Sequence, residues 1–214
     1  MAVWNSAMRR YVKERLPLYV FTAVVLMTGV IFGAVMAGAL TLEQQQELSR
    51  HVGSYVQELG GGGMAAAGEM TVWQHAVDHG KWIVLIWLLG LTVVGFPLIF
   101  GLVFVKGILI GFTVGYMIGE FSWRGAAFSF AAVVPQNLVV IPALLVCSVS
   151  AVAFALHLIR KRILQRTGSI YEPFIHCSLV AVCTIFLLTG VSLYETYVSP
   201  DVIRLVTPLF APQT

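Results

Sequence analysis

Charged side chains are scarce in this 214-residue chain: they fill 11% of positions, while 58% are hydrophobic and the mean hydropathy is +0.88. Soluble domains carry roughly 25% charged residues, so the shortage excludes a water-exposed globule and leaves an integral membrane protein. Cysteine is nearly missing as well. Cys147, Cys177 and Cys183 sit in apolar runs, an odd number without framework spacing, which excludes a disulfide scaffold and gives the thiols the role of small hydrophobes. CxxC, HExxH, GxSxG and Walker-type motifs are absent, and ionisable groups inside the apolar runs, on which intramembrane chemistry depends, are almost absent too. Those gaps predict a protein that is not an enzyme, carries no cofactor or metal, and binds no nucleic acid.

Glycine, by contrast, is plentiful in one place. The run Gly90 to Gly119 reads GLTVVGFPLIFGLVFVKGILIGFTVGYMIG and sets Gly107, Gly111, Gly115 and Gly119 four residues apart. Four residues turn a helix by about 400°, so these glycines form one slowly winding stripe without side chains. In lipid, where hydrophobic burial adds little to association, such a stripe lets two backbones approach closely. Spacing alone leaves open whether it packs within one chain or builds a homo-oligomer.

A spanning helix needs about 20 apolar residues. The length rule predicts an all-α, polytopic bundle of five spans in one membrane domain. A basic cytoplasmic tail (1–15) precedes span 1 (16–40), which is too long for a signal-peptide core of roughly 7–15 residues. A loop on the outer side (41–81) leads to span 2 (82–105) and, past a turn at Lys106, to span 3 (107–123). Span 4 (126–159), a basic loop (160–173), span 5 (174–194) and an outer tail (195–214) complete the chain. With the N-terminus inside, nine of the thirteen Lys and Arg fall on inner segments, as the positive-inside rule requires, so the expected orientation is N-in, C-out.

Proline predicts two breaks. Gly95-Phe96-Pro97 should kink span 2, because proline removes a helix hydrogen bond. Residues 126–142 hold Pro135, Gln136, Asn137 and Pro142 in a stretch too long for one straight helix, so the segment is either re-entrant or one long kinked span. In the outer loop, Thr41-Leu42-Glu43-Gln44 has the capping-box pattern. Leu48, Val52, Tyr55 and Val56 then recur on one helical face, a stripe that either rests on the protein and membrane interface or docks a partner. A second amphipathic piece places Met70, Trp73 and Val77 in register.

The remaining polar candidates are few. Glu120 and Arg124 have i, i+4 spacing and read as an anchoring pair. His75 and His79 flank Asp78 without a third convincing zinc ligand. Glu172 and His176 lie one turn apart and are the best candidates for a proton-linked pair, while His157 shares a helix with Ser148 and Ser150 but lacks an orienting third group.

The basic tail, the LEQQQEL helix, the 90–119 block and the run Pro135-Gln136-Asn137-Leu-Val-Val-Ile-Pro142 together resemble the stage II sporulation protein M family of endospore-forming bacteria, nearly end to end. That resemblance implies a multi-pass protein of the sporulation septum and engulfing mother-cell membrane. Its implied role is a non-catalytic scaffold that recruits or holds two peptidoglycan hydrolases, stage II sporulation proteins D and P, during septal wall remodelling and forespore engulfment. Wider relatives show a Pro-His-Gly…Glu pattern where this chain has Pro135-Gln136-Asn137…Val140, and the change removes the ionisable groups on which a proton-linked role would rest. The rival reading is a small transporter or permease subunit using discontinuous segments around Pro97 and Pro135. An intramembrane enzyme is a third and weaker one.

Overall fold

The computed structural model describes residues 2–41, 43–48, 50, 68–92, 94–132, 134–164 and 171–197. All the long elements are helices: α1 (Ala2–Gly38), α2 (Gly68–Gly90), α3 (Gly95–Ala132), α4 (Val134–Leu164) and α5 (Tyr171–Tyr197). Four segments are long and apolar enough to cross a membrane: Arg15–Gly38, Gly95–Gly119, Pro135–Ile159 and Tyr171–Leu193. Among the described residues there is no strand. Within these helices Thr22, Thr28, Thr113, Thr184, Thr189 and Ser192 donate their hydroxyls to the carbonyl four residues earlier. That local bond satisfies a polar group where lipid offers no partner.

The span boundaries differ from expectation. No turn occurs at Lys106; α3 runs unbroken from Gly95 to Ala132, and the break lies at residues 91–94. Lysine is a good helix former, so a single charge does not end a helix. The tight turn is held by Leu91 N donating to Trp87 O (3.2 Å), Thr92 N to Leu89 O (3.0 Å) and Gly95 N to Thr92 O (3.2 Å). A Cβ at Gly95 would collide with the Leu89 carbonyl, so the turn needs glycine there. Pro97 is the third residue of α3 and produces no kink, because first-turn N–H groups have no helical acceptor to lose.

The 126–142 segment is neither of the two expected forms. Residues 126–132 end α3, and Pro135, Gln136 and Asn137 open α4, again with proline in a first turn. Pro142 lies inside α4. The amphipathic piece around Trp73 is no separate loop helix, since it forms the first half of α2 and continues into Trp82–Gly90.

α4 is the central helix, with 56% of its span buried against 22–28% for the other three. Val149, Val152, Ala151 and Ala155 on α4 are fully buried, as are Ile83 and Ile86 of α2 and Ile99 and Val103 of α3. α2 packs chiefly on α5, where Trp87 Nε1 donates to Ser178 Oγ at 3.2 Å and the Trp87 ring lies 6.4 Å from that of Phe174. Trp87→Phe removes this donor while keeping most of the ring. Thermal melting in mild detergent should report a loss of about 1 kcal/mol; an unchanged melting point would show that the bond adds nothing.

Candidate functional site

Two places concentrate the residues that sequence reasoning singled out. The first is the interface of α1 and α3. Leu26, Val30 and Ala34 meet Gly107, Gly111 and Gly115 in turn, so both helices advance in the same direction and run parallel. A Cβ on Gly107 would strike the Leu26 carbonyl and lie 3.1 Å from the Gly29 Cα. One on Gly111 would strike the Val30 carbonyl, and one on Gly115 would come within 2.8 Å of the Ala34 Cα. These are backbone contacts, which cannot rotate away as a side chain does. The stripe therefore packs within the chain.

Gly119 departs from the expected set: among the described residues nothing lies within 4 Å of a Cβ placed there, and it is exposed. The helix has wound away from α1 by that point, as a four-residue repeat must when one turn takes 3.6 residues. The answering residues on α1 were missed. A Cβ on Gly29 would strike the Phe104 carbonyl and one on Gly33 the Ile108 carbonyl. Their signal was present in the sequence as Gly29-Val-Ile-Phe-Gly33, the same small-residue spacing in span 1.

This parallel pair also fixes where the segment after α1 begins. Thr41 N donates to Gln44 Oε1 at 3.1 Å, and Gln44 N donates to Thr41 Oγ1 at 3.4 Å, a reciprocal capping box that starts the short helix at 43–48. Tyr116 on α3 then donates its hydroxyl to the Gln45 carbonyl at 3.3 Å. Leu48 is half-buried at the end of this helix. Val52, Tyr55 and Val56 lie outside the described residues, as do the 198–214 tail and the side chains of Glu120 and Arg124.

Lys106 sits in the middle of the Gly95–Gly119 span, beside the glycine contacts, with its Nζ 5.3 Å from the centre of the Trp82 ring. The ring face offers a cation partial compensation away from water. The exposed Asp78 and Lys81 pair with each other at 2.9 Å on the first half of α2. His75 and His79 share that half, and no group of three or more metal-ligating side chains occurs among the described residues.

The second place is a cavity of about 270 Å³ between the starts of α1's apolar span and α5 and the last turns of α4. Arg15, Ser150, Phe154, His157, Glu172 and His176 line it. It unites Glu172 and His176, the pair read from sequence, with His157 and with a basic residue assigned only to the tail. Ser150 and Phe154 are buried, while Glu172 and His176 are exposed. His157 Nε2 is buried and has no hydrogen-bond partner among the described residues, so it is not joined to Ser150 as a base to a nucleophile. Ser148 Oγ is likewise buried without a partner.

Pro97 and Pro135 each stand in the first turn of a helix, α3 and α4, directly after a break in the chain's helices. A family model described as Stage II sporulation protein M matches residues 22–200. No curated protein and no solved structure matches the chain.

Proposed function

This chain belongs to the stage II sporulation protein M family, and from that membership we propose that it is a non-catalytic membrane scaffold of the sporulation septum. In this reading it holds the peptidoglycan hydrolases, stage II sporulation proteins D and P, against the wall during engulfment. The observation that carries the reading is the mounting of the outer segment. Residues 43–48 leave α1 through a capping box and are tied by Tyr116 to α3, and α1 and α3 are themselves in backbone contact. A segment that starts on so rigid a pair is presented in one orientation, which lowers the ordering entropy a partner must overcome.

The same reading takes α2 as a fifth crossing, with the N-terminus inside and the C-terminus outside. α3 begins at the depth of Arg15 because it runs parallel to α1, so the chain must return across the bilayer before Gly95, and α2 is the element that does so. Its 23 residues reach about 34 Å, against a hydrocarbon core of about 30 Å. Arg15 shares a cavity with the last turns of α4, so the N-terminal basic tail and Arg160-Lys161-Arg162 gather at one end of the bundle, the inner end by the positive-inside rule.

In this reading Leu48, Val52, Tyr55 and Val56 form the stripe that faces the partner. Val52→Asp with Tyr55→Asp should leave the protein inserted and at normal abundance, yet reduce co-purification of either hydrolase at least tenfold. Undiminished co-purification from sporulating cells would remove the stripe from the scaffold's binding surface.

A further inference from the structure

We propose that the cavity between α1, α4 and α5 binds the headgroup of a zwitterionic phospholipid that carries a phosphate and a primary ammonium. The lipid comes from the leaflet at the Arg15 end. Depth is the first reason. Arg15 opens one apolar span, Glu172 stands one residue inside another, and His157 is two residues from the end of a third. The cavity thus lies where acyl chains give way to headgroups. Leu16 and Ile175, next in sequence to Arg15 and His176, are exposed and offer an apolar surface for the chains.

Size and chemistry point the same way. A water molecule occupies about 30 Å³ in the liquid, so about 270 Å³ admits a group as large as a phosphoalkylamine. The Arg15 guanidinium is permanently charged and its planar fork matches phosphate oxygens. Ser150 and the two imidazoles add hydrogen-bond donors, and the first turn of α5 adds its positive dipole end. Basic pockets between spanning helices take phospholipid headgroups by this combination.

Glu172 decides between headgroups. A purely anionic one, such as phosphoglycerol, would draw on Arg15 through its phosphate and add nothing to offset the Glu172 carboxylate. A headgroup bearing a primary ammonium satisfies Glu172 at the exposed mouth while its phosphate faces Arg15. The buried His157 Nε2, without a partner among the described residues, is an unsatisfied group of the kind that ligands or trapped waters compensate.

The full-length protein, purified in mild detergent and stripped of lipid, should be titrated by native mass spectrometry with phosphatidylethanolamine, phosphatidylglycerol and inorganic phosphate. Phosphatidylethanolamine should be retained at least tenfold better than phosphatidylglycerol, and inorganic phosphate should neither bind nor compete. Arg15→Gln should weaken phosphatidylethanolamine at least tenfold, and Glu172→Gln should abolish the preference while leaving the fold and phosphatidylglycerol binding intact. Equal retention of both lipids by the wild type overturns the proposal, as does Arg15→Gln binding at the wild-type level. Competition by inorganic phosphate would assign the cavity to a soluble ligand instead. Because Glu172→Gln is read as a change of selectivity, a poorly folded Arg15→Gln does not shield the idea.

Discussion

Gly111→Leu is expected to pull α1 and α3 apart and abolish the folded bundle in detergent, whereas Gly119→Leu, eight residues on, should be harmless. Leucine is a better helix former than glycine by roughly 0.8 kcal/mol, so local propensity favours both substitutions. At residue 119 no atom within 4 Å opposes that gain, and the change should lie within about 0.5 kcal/mol of neutral. At residue 111 the first carbon of the side chain already meets the Val30 carbonyl, carbon and Cα. Overpacking a core commonly destabilises by about 1–3 kcal/mol where side chains can adjust. Here the opposing atoms are helical backbone, so the effect should reach or exceed the upper figure. Gly33→Leu should behave like Gly111→Leu, because it strikes the Ile108 carbonyl from the other side of the same interface. Melting followed by fluorescence-detected size exclusion would show this directly. A Gly111→Leu protein melting with the wild type would disprove the close approach of the two backbones.

The second large effect is an all-or-none result about sidedness. Single cysteines in the 1–14 and 198–214 tails, in a background lacking Cys147, Cys177 and Cys183, should label from opposite faces of the membrane. An impermeant thiol reagent applied to intact cells should modify the C-terminal site alone, and the N-terminal site should respond after permeabilisation. Four crossings would put both tails on one side; five separate them. The outcome hangs on α2, whose apolar part is only its second half, Trp82–Gly90. Asp78 and Lys81 precede that part, and a crossing helix can hold them because the two neutralise each other at 2.9 Å. Both tails labelling together would remove α2 from the membrane and with it the proposed orientation.

Much of the local structure was legible in the residues. The capping box at Thr41 and Gln44 has its two bonds because the motif's geometry is contained in four consecutive residues. Lys106, the lone charge in a long apolar run, points to a break that the chain places at 91–94 instead. The chain turns where Gly95 lets the backbone approach the Leu89 carbonyl, a contact any Cβ would block. The glycine stripe was visible, but its partner was not, since nothing in the spacing of Gly107, Gly111 and Gly115 says which surface answers it.

From its composition and apolar run lengths alone, the sequence determined a helical membrane protein whose helices must satisfy their own backbones. It also determined that one helix face carries no side chains, because both properties depend on residues near one another in the chain. Tertiary structure decided which faces meet. Lipid is as apolar as leucine and does not sort one helix surface from another, so pairing rests on shape between segments far apart in sequence. Hence Gly29 and Gly33 became the counterpart of the stripe, and Gly119 was left outside it. For the same reason Arg15, His157, Glu172 and His176, drawn from three helices, came to line one cavity. No periodicity along any one of those helices could have announced it.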